Sequence, residues 1–271
     1  MNWKEYAIKA NDARKDIMRM LFLANGSWGG SCMSCIDILT VLYHGIMRVD
    51  EKNIHDESRD MFFLSKGHAS AALYTVLSQK RFIPREDLWE YCKNGSKLTS
   101  QPQYGAYPGI EASSGSLGHG MGLACGSALS AKTMGYDSNV FVLVGDGEMN
   151  EGSNWETIPF ASKQNLNNFT VIVDRNYLQS YADDMNTLNY GDLGQKFKDF
   201  GYRVIDIDGH DYQEIESALQ QAVDRTVEKP TAIIAHTTKG KGISYMENKL
   251  EWHYKSPNKE LYEIAMEELS R

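Results

Sequence analysis

No uninterrupted apolar run in this chain approaches the ~18 residues of a membrane span. The N-terminal stretch MNWKEYAIKANDARKDIMRM carries charges throughout and lacks the apolar core of a signal peptide. Positive charge is in deficit: 28 Lys and Arg stand against 36 Asp and Glu, a net charge of −8. That balance argues against a general nucleic-acid binder and a basic membrane-surface protein. The expectation is a cytoplasmic protein whose partners include no nucleic acid and no membrane. A G-x-x-x-x-G-K-[ST] loop is absent, which argues against a nucleoside-triphosphate site of that kind. Cysteine is scarce, with four: Cys32, Cys35, Cys92 and Cys125. The first two form a C-x-x-C, a spacing shared by redox pairs and half zinc sites. No second C-x-x-C follows and no histidine pair stands at finger spacing, so both are expected to be small buried residues. They lie in SCMSCIDILTVLYHGIM, which looks like a helix start with Ser34 and Asp37 at capping-box spacing.

What is present is enough apolar sequence for a core: 42% of 271 residues. Short apolar runs rich in Val, Ile and Phe occur at 139–145, 169–174 and 231–237, with weaker ones at 61–65 and 202–208. They read as strands buried on both faces. Between them lie helical patterns. Residues 3–24 place Tyr6, Ala10, Ala13, Ile17 and Leu21 on one face and end near Gly26. Residues 211–227 bring Ile215, Leu219, Ala222 and Val223 together. Strands alternating with helices predict an α/β fold, a mainly parallel sheet flanked by helices, as one domain over 1–271. In such sheets ligands bind outside the carboxyl ends of the strands.

The stretch FVLVGDGEMNEG, 141–152, ends a strand in an aspartate held between glycines. In isolation Asp-Gly is an ordinary turn. A second group at the same sheet edge changes the reading. DRNYLQ, 174–179, follows the next strand and brings Asn176. A carboxylate oxygen from Asp146 and an amide oxygen from Asn176 are hard ligands suited to Mg²⁺ or Ca²⁺. Gly147 has no side chain, so a diphosphate could approach its N–H.

GDG followed by 28 residues and Asn176 resembles the thiamine-diphosphate and magnesium motif. LSKGHASAALY (64–74), GSLGHGMGLACG (115–126), GDGEMNEGSNWE (145–156), TTKGKGIS (237–244) and WHY (252–254) resemble, in order, segments of the transketolase family. The resemblance covers nearly the whole chain and implies the thiamine-diphosphate-binding fold. It implies that Asp146, the Asn176 side chain and the Leu178 carbonyl bind Mg²⁺, with Ca²⁺ or Mn²⁺ as alternatives. His68, the Gly147 N–H and His253 would contact the diphosphate, with Lys66, Glu148 and Lys239 beside the cofactor. The Gly115 carbonyl would accept from its 4′-amino group, and Leu117 would line its ring pocket. Glu151 and Glu156 resemble the family's acidic pair linking active sites across a dimer. His68, His253, Glu151 and Glu156 form the implied catalytic set.

The family's chains are much longer, and this one resembles only their first domain. The essential glutamate of the pyrimidine-binding domain has no counterpart here, so a C-terminal subunit carrying the pyrimidine-binding and C-terminal domains is implied, two copies of each chain forming an α2β2 assembly. Split transketolases of this kind transfer a two-carbon ketol unit between sugar phosphates. Two positions depart from the pattern: Ser27 stands where S-G-H-x-G has histidine, and Gln101 replaces the histidine of G-H-P. Both histidines normally face the sugar, so the departure bears on specificity. Two other readings remain open. A 2-oxoacid dehydrogenase or other carboligase subunit is opposed by SKGHAS and by the single Asn176 followed by Tyr177. A non-catalytic scaffold is opposed by the intact Asp146, Asn176 and Glu151.

Overall fold

A computed structural model describes residues 2–183, 186–188 and 190–270. The strands are β1 (Met61–Leu64), β2 (Val140–Gly145), β3 (Phe169–Arg175), β4 (Arg203–Asp208) and β5 (Thr231–His236). The α-helices are α1 (Trp3–Ala24), α2 (Gly29–Val41), α3 (Ser70–Gln79), α4 (Gly120–Met134), α5 (Gly152–Lys163), α6 (Leu193–Asp199), α7 (Tyr212–Val223) and α8 (Lys259–Glu268). Every expected strand is present. They pair in parallel in the order β1-β2-β3-β5-β4.

The alternation of side chains along each strand builds two cores. Phe141, Leu143 and Ile172 point to one face, where the apolar residues of α1, α2, α3 and α7 cover them. Val142, Val144, Val171 and Val173 point to the other, under Ala124, Ala128, Ile158 and Phe197 of α4, α5 and α6. With both faces covered, the central strands β2 and β3 read as continuous apolar runs. β4 lies at the sheet edge and is only partly buried, which accounts for its mixed sequence.

The predicted faces of α1 and α7 are the buried ones, with Val223 at the margin. Asn2 and Glu5 form a reciprocal capping box at the start of α1, and Asn25 ends it in the left-handed region. α7 stops at Val223, short of the expected 227. Asp224 caps it and Arg225 turns left-handed at φ 50°.

The capping box expected at Ser34 and Asp37 is not one. Helix α2 begins five residues before Ser34, at Gly29, after Trp28 takes a left-handed conformation with φ 66°. Both residues are buried inside the helix, where a side-chain cap has no free N–H to meet. Cys32 and Cys35, on the same helix, are buried free thiols, as expected.

Asp37 instead anchors a polar knot. Its oxygens accept from Arg14 at 2.6 and 2.9 Å and from Tyr212 at 2.7 Å, and lie 2.8 Å from His210 Nδ1. Burial pushes the Asp37 carboxyl up, but Arg14 and His210 outweigh it and hold the group well below the usual range. Replacing Asp37 with Asn strands the buried Arg14 charge. We expect a loss of about 3–5 kcal/mol in denaturant unfolding. Because the folded carboxyl titrates below the unfolded one, its contribution is complete above the ordinary aspartate value of about 4 and is lost as pH falls below it. The parent should therefore lose its advantage over Asp37→Asn in acid.

Candidate active site

The carboxyl ends of β1, β2, β3 and β5 open into one cleft, and most of the predicted residues meet there. Lys66, His68, Leu117, Asp146, Gly147, Glu148, Glu151, Asn176, Leu178, Lys239 and His253 all line it.

Asp146 follows β2 and Asn176 follows β3, so the register of this parallel pair puts the two side chains on neighbouring strand tips. Both are buried. Asp146 Oδ1 accepts from the Gly147 N–H at 2.8 Å and Oδ2 from the Tyr177 N–H at 2.6 Å. Asn176 Oδ1 accepts from the Leu178 N–H at 3.1 Å. Burial, with Asp174 adding to it, pushes the Asp146 carboxyl up to about 6. A cation against this carboxylate would offset that burial. Among the described residues no three His, Cys, Asp or Glu side chains gather as a metal cage. The donor set is therefore one carboxylate, one amide oxygen and the backbone carbonyl of Leu178. Such an oxygen-only, incomplete shell fits Mg²⁺, which takes its remaining ligands from phosphate and water.

The glycines beside Asp146 have separate reasons. A Cβ on Gly147 would sit 3.2 Å from the Gln179 side chain, so this position is sterically tight. Gly145 is less crowded, and its N–H donates to Glu148 at 3.2 Å. Glu148 is a clasp more than a free ligand. Its carboxylate also accepts from Ser65 Oγ at 2.5 Å and from the Gly118 N–H at 2.9 Å, tying β1, β2 and the glycine loop together.

Two lysines are buried here, with different assignments. Lys66 Nζ donates to Asp174 and, at 3.1 Å, to the Ser31 carbonyl. Asp174 also accepts from Ser34 at 2.6 Å and from Thr237. The Lys66 charge is thus neutralised below the cleft. Lys239 Nζ pairs with no carboxylate among the described residues. It donates to the Leu178 carbonyl at 3.2 Å and to His253 Nδ1 at 2.9 Å. Burial pulls its ammonium down to about 8, against the pull of Asp146. It stands where a diphosphate would want a cation.

His68 and His253 face each other with ring centroids 5.5 Å apart. Burial, then Lys66, His253 and Lys239, pushes His68 well below its ordinary value. Burial, then Lys239 and Lys66, brings His253 down to about 4. Both rings are neutral at physiological pH. Since the Lys239 ammonium only donates, His253 Nδ1 accepts and its proton lies on Nε2, 3.3 Å from Ser180 Oγ.

Gly115 and Gly118 lie at φ 151° and 87°, values that favour glycine. A Cβ on Gly118 would collide with Glu151, which stands just before the start of α5 at the cleft mouth. Glu156 does not join the cleft. It is exposed on the outer face of α5, in a groove shared with Leu123 and Phe160. Neither Ser27 nor Gln101 lines the cleft. Ser27 Oγ donates to the Tyr254 carbonyl at 2.9 Å, beside a bond from the Trp28 N–H to the His253 carbonyl at 3.1 Å. Ser27 therefore staples the loop that presents His253. Gln101 packs against Gly115, and a Cβ on Gly67 would collide with its Oε1. Asp174, Ser31 and Ser180 escape the sequence reading. For Asp174 a signal exists in its place at the end of the second strand run.

Residues 9–265 match the family model described as transketolase, thiamine diphosphate binding domain. The chain is 36% identical over 263 residues to a subunit of the apulose-4-phosphate transketolase of Phocaeicola vulgatus, covering 97% of this chain and 93% of that protein. It is 36% identical over 251 residues to the 6-deoxy-6-sulfo-D-fructose transketolase subunit SqwG of a Clostridium species, covering 92% and 88%. Its fold is similar to the crystal structure of transketolase from Campylobacter jejuni, with a TM-score of 0.93 and 32% identity. That alignment covers all of this chain but only 43% of the longer one. A match of this extent, on a fold whose strand tips carry Asp146 and Asn176 side by side, places the chain in the transketolase family, with the thiamine diphosphate binding domain as its counterpart.

Proposed function

We propose that this chain, as one domain over 1–271, is the N-terminal subunit of a two-part transketolase. It would transfer a two-carbon ketol unit from a ketose phosphate to an aldose phosphate, using thiamine diphosphate and Mg²⁺. The observation that carries this is the convergence of Asp146, Asn176 and the Leu178 carbonyl at adjacent strand tips, with the uncompensated Lys239 beside them. Two relatives are each named as one subunit of an apulose-4-phosphate transketolase, which supports a partner chain bearing the missing domains, in an α2β2 assembly. A cytoplasmic setting belongs to the same reading; no helix among the described residues is long and apolar enough to cross a membrane.

When bound, thiamine diphosphate supplies an acidic ring carbon able to act as a nucleophile toward carbonyl groups. The chain's residues would do the rest by position. Asp146, Asn176 and Leu178 would hold the cation. Lys239 and the Gly147 N–H would face the diphosphate, and the neutral His68 and His253 would each offer a hydrogen-bond donor without adding charge. Glu148 would keep the glycine loop at a fixed height above the β2 tip.

The donor sugar is proposed to differ from xylulose 5-phosphate, because Ser27 and Gln101 replace imidazoles. The names of relatives that act on apulose 4-phosphate and 6-deoxy-6-sulfo-D-fructose support this. The test compares kcat/KM for several ketose phosphates in the reconstituted enzyme with the same values for Ser27→His combined with Gln101→His. The unmodified enzyme should use xylulose 5-phosphate poorly, and the pair of substitutions should raise that value roughly tenfold. Ordinary efficiency in the parent with no gain in the variant would remove the altered-donor reading. No ketol transfer from any ketose phosphate would remove the transketolase reading itself.

A further inference from the structure

Tyr177 sits between two groups assigned to the cation, Asn176 and Leu178, and its backbone is left-handed at φ 63°. A tyrosine resists that conformation because its Cβ crowds the following carbonyl. The conformation has a use: it turns the Tyr177 N–H onto Asp146 Oδ2 at 2.6 Å while the Leu178 N–H meets Asn176 Oδ1 at 3.1 Å. Something must hold the turn, and burial does not, since the Tyr177 residue is 43% exposed.

The side chain shows what does. The Tyr177 hydroxyl shares a hydrogen bond of 2.6 Å with His236 Nδ1. The two rings also stack, with centroids 6.0 Å apart and planes 15° from parallel. His236 is the last residue of β5, and its Nε2 lies 3.4 Å from Asp206 Oδ1 on β4. The Arg175 guanidinium lies 4.7 Å from the centroid of the Tyr177 ring and 3.9 Å from Asp146 Oδ2. A line of contacts thus runs from the outer strand β4, through β5, to the turn after β3 and on to Asp146 after β2.

We propose that His236 is a positioning residue for this turn. By holding the Tyr177 ring it fixes a left-handed residue that aims one N–H at Asp146 and sets the direction of the Leu178 carbonyl. His236 touches neither cation nor diphosphate and acts through Tyr177. The inference rests on the cation site proposed above.

The test uses the chain assembled with its partner subunit at saturating thiamine diphosphate, with Mg²⁺ titrated calorimetrically into the parent, His236→Ala, Tyr177→Gly and the double variant. His236→Ala should weaken Mg²⁺ binding about tenfold, as losing an outer support of a metal ligand does. Glycine takes the left-handed conformation without help. Tyr177→Gly should therefore bind Mg²⁺ nearly as the parent does, and adding His236→Ala to it should change nothing further. A merely structural role for His236 would leave the same loss in the glycine background. The proposal is overturned if His236→Ala binds Mg²⁺ like the parent, or if the double variant is as weak as His236→Ala alone. A parent whose thiamine diphosphate binding ignores Mg²⁺ overturns the cation site itself, a separate failure.

Discussion

Asp146→Ala should abolish Mg²⁺-dependent binding of thiamine diphosphate while leaving the chain folded. Asp146 is the one carboxylate in the proposed donor set, and Asn176 and the Leu178 carbonyl contribute only dipoles. Without it the cation would be held by neutral oxygens and by the phosphates it is meant to anchor. Losing an outer support of a metal ligand costs about 10–100-fold in affinity, and loss of the charged ligand should exceed that range. The fold should survive for a specific reason. Two backbone N–H groups lose an acceptor, at about 1–3 kcal/mol each if both stay buried and unpaired. Against that, a buried carboxyl pushed up to about 6 is removed, relieving a charge the fold holds at a disadvantage. Titration calorimetry of the assembled enzyme, with circular dichroism as a check on folding, measures both. Unchanged cofactor affinity in a folded variant would remove Asp146 from the site.

The second large effect concerns the partner. The purified chain alone should show no ketol transfer above background, and adding a C-terminal-type subunit should raise activity by at least about a thousandfold, within the reach of a missing general acid–base group. The reason lies in what the cleft's carboxylates already do. Glu148 is held by Ser65, Gly118 and Gly145. Asp146 is assigned to the cation, Asp174 is bound to Lys66, Ser34 and Thr237, and Glu151 sits exposed at the mouth. None of these four is placed to meet an aminopyrimidine deep in the site. The chain also spans 43% of the transketolase from Campylobacter jejuni, so the rest of that architecture must come from elsewhere. Turnover by the rigorously purified chain alone would refute this dependence.

Much of the scaffold is legible in the sequence because burial on both faces writes strands as apolar runs. β2, β3 and β5 have no solvent side to require polar residues. β4 is fainter because an edge strand with partial exposure tolerates Arg203, Asp206 and Asp208. The spacing of Ser34 and Asp37 misleads because serine and aspartate three apart satisfy the same pattern inside a helix as at its start. Only the left-handed Trp28 decides where α2 begins, and nothing about tryptophan announces that conformation. At the site, the motif residues are legible as a group and their separate tasks are not. Lys66 and Lys239 read alike in sequence, yet Asp174 takes the charge of one and leaves the other facing the cleft. Ser27 reads as a substrate-facing position, whereas its hydroxyl meets the Tyr254 carbonyl. Such assignments depend on partners far away along the chain, which no local pattern reports.

Distances along the chain carry a last consequence. Arg14 Nε on α1 donates to the Lys241 carbonyl, 227 positions on, and Asn11 donates to the Leu269 carbonyl, 258 positions on. Arg14 also reaches Asp37, which His210 joins to the Thr238 N–H, one residue from Lys239. During synthesis α1 emerges early, yet these contacts must wait until residues past 241 have left the ribosome. The newborn helix must keep its apolar face from straying in the meantime, a period in which incomplete domains are prone to aggregate. Pairings this far apart also slow the search for the native arrangement. The Lys239 loop is therefore seated late in the life of the nascent polypeptide, and a stalled or truncated product would carry the Asp146 and Asn176 strands without the clamp that completes their cleft.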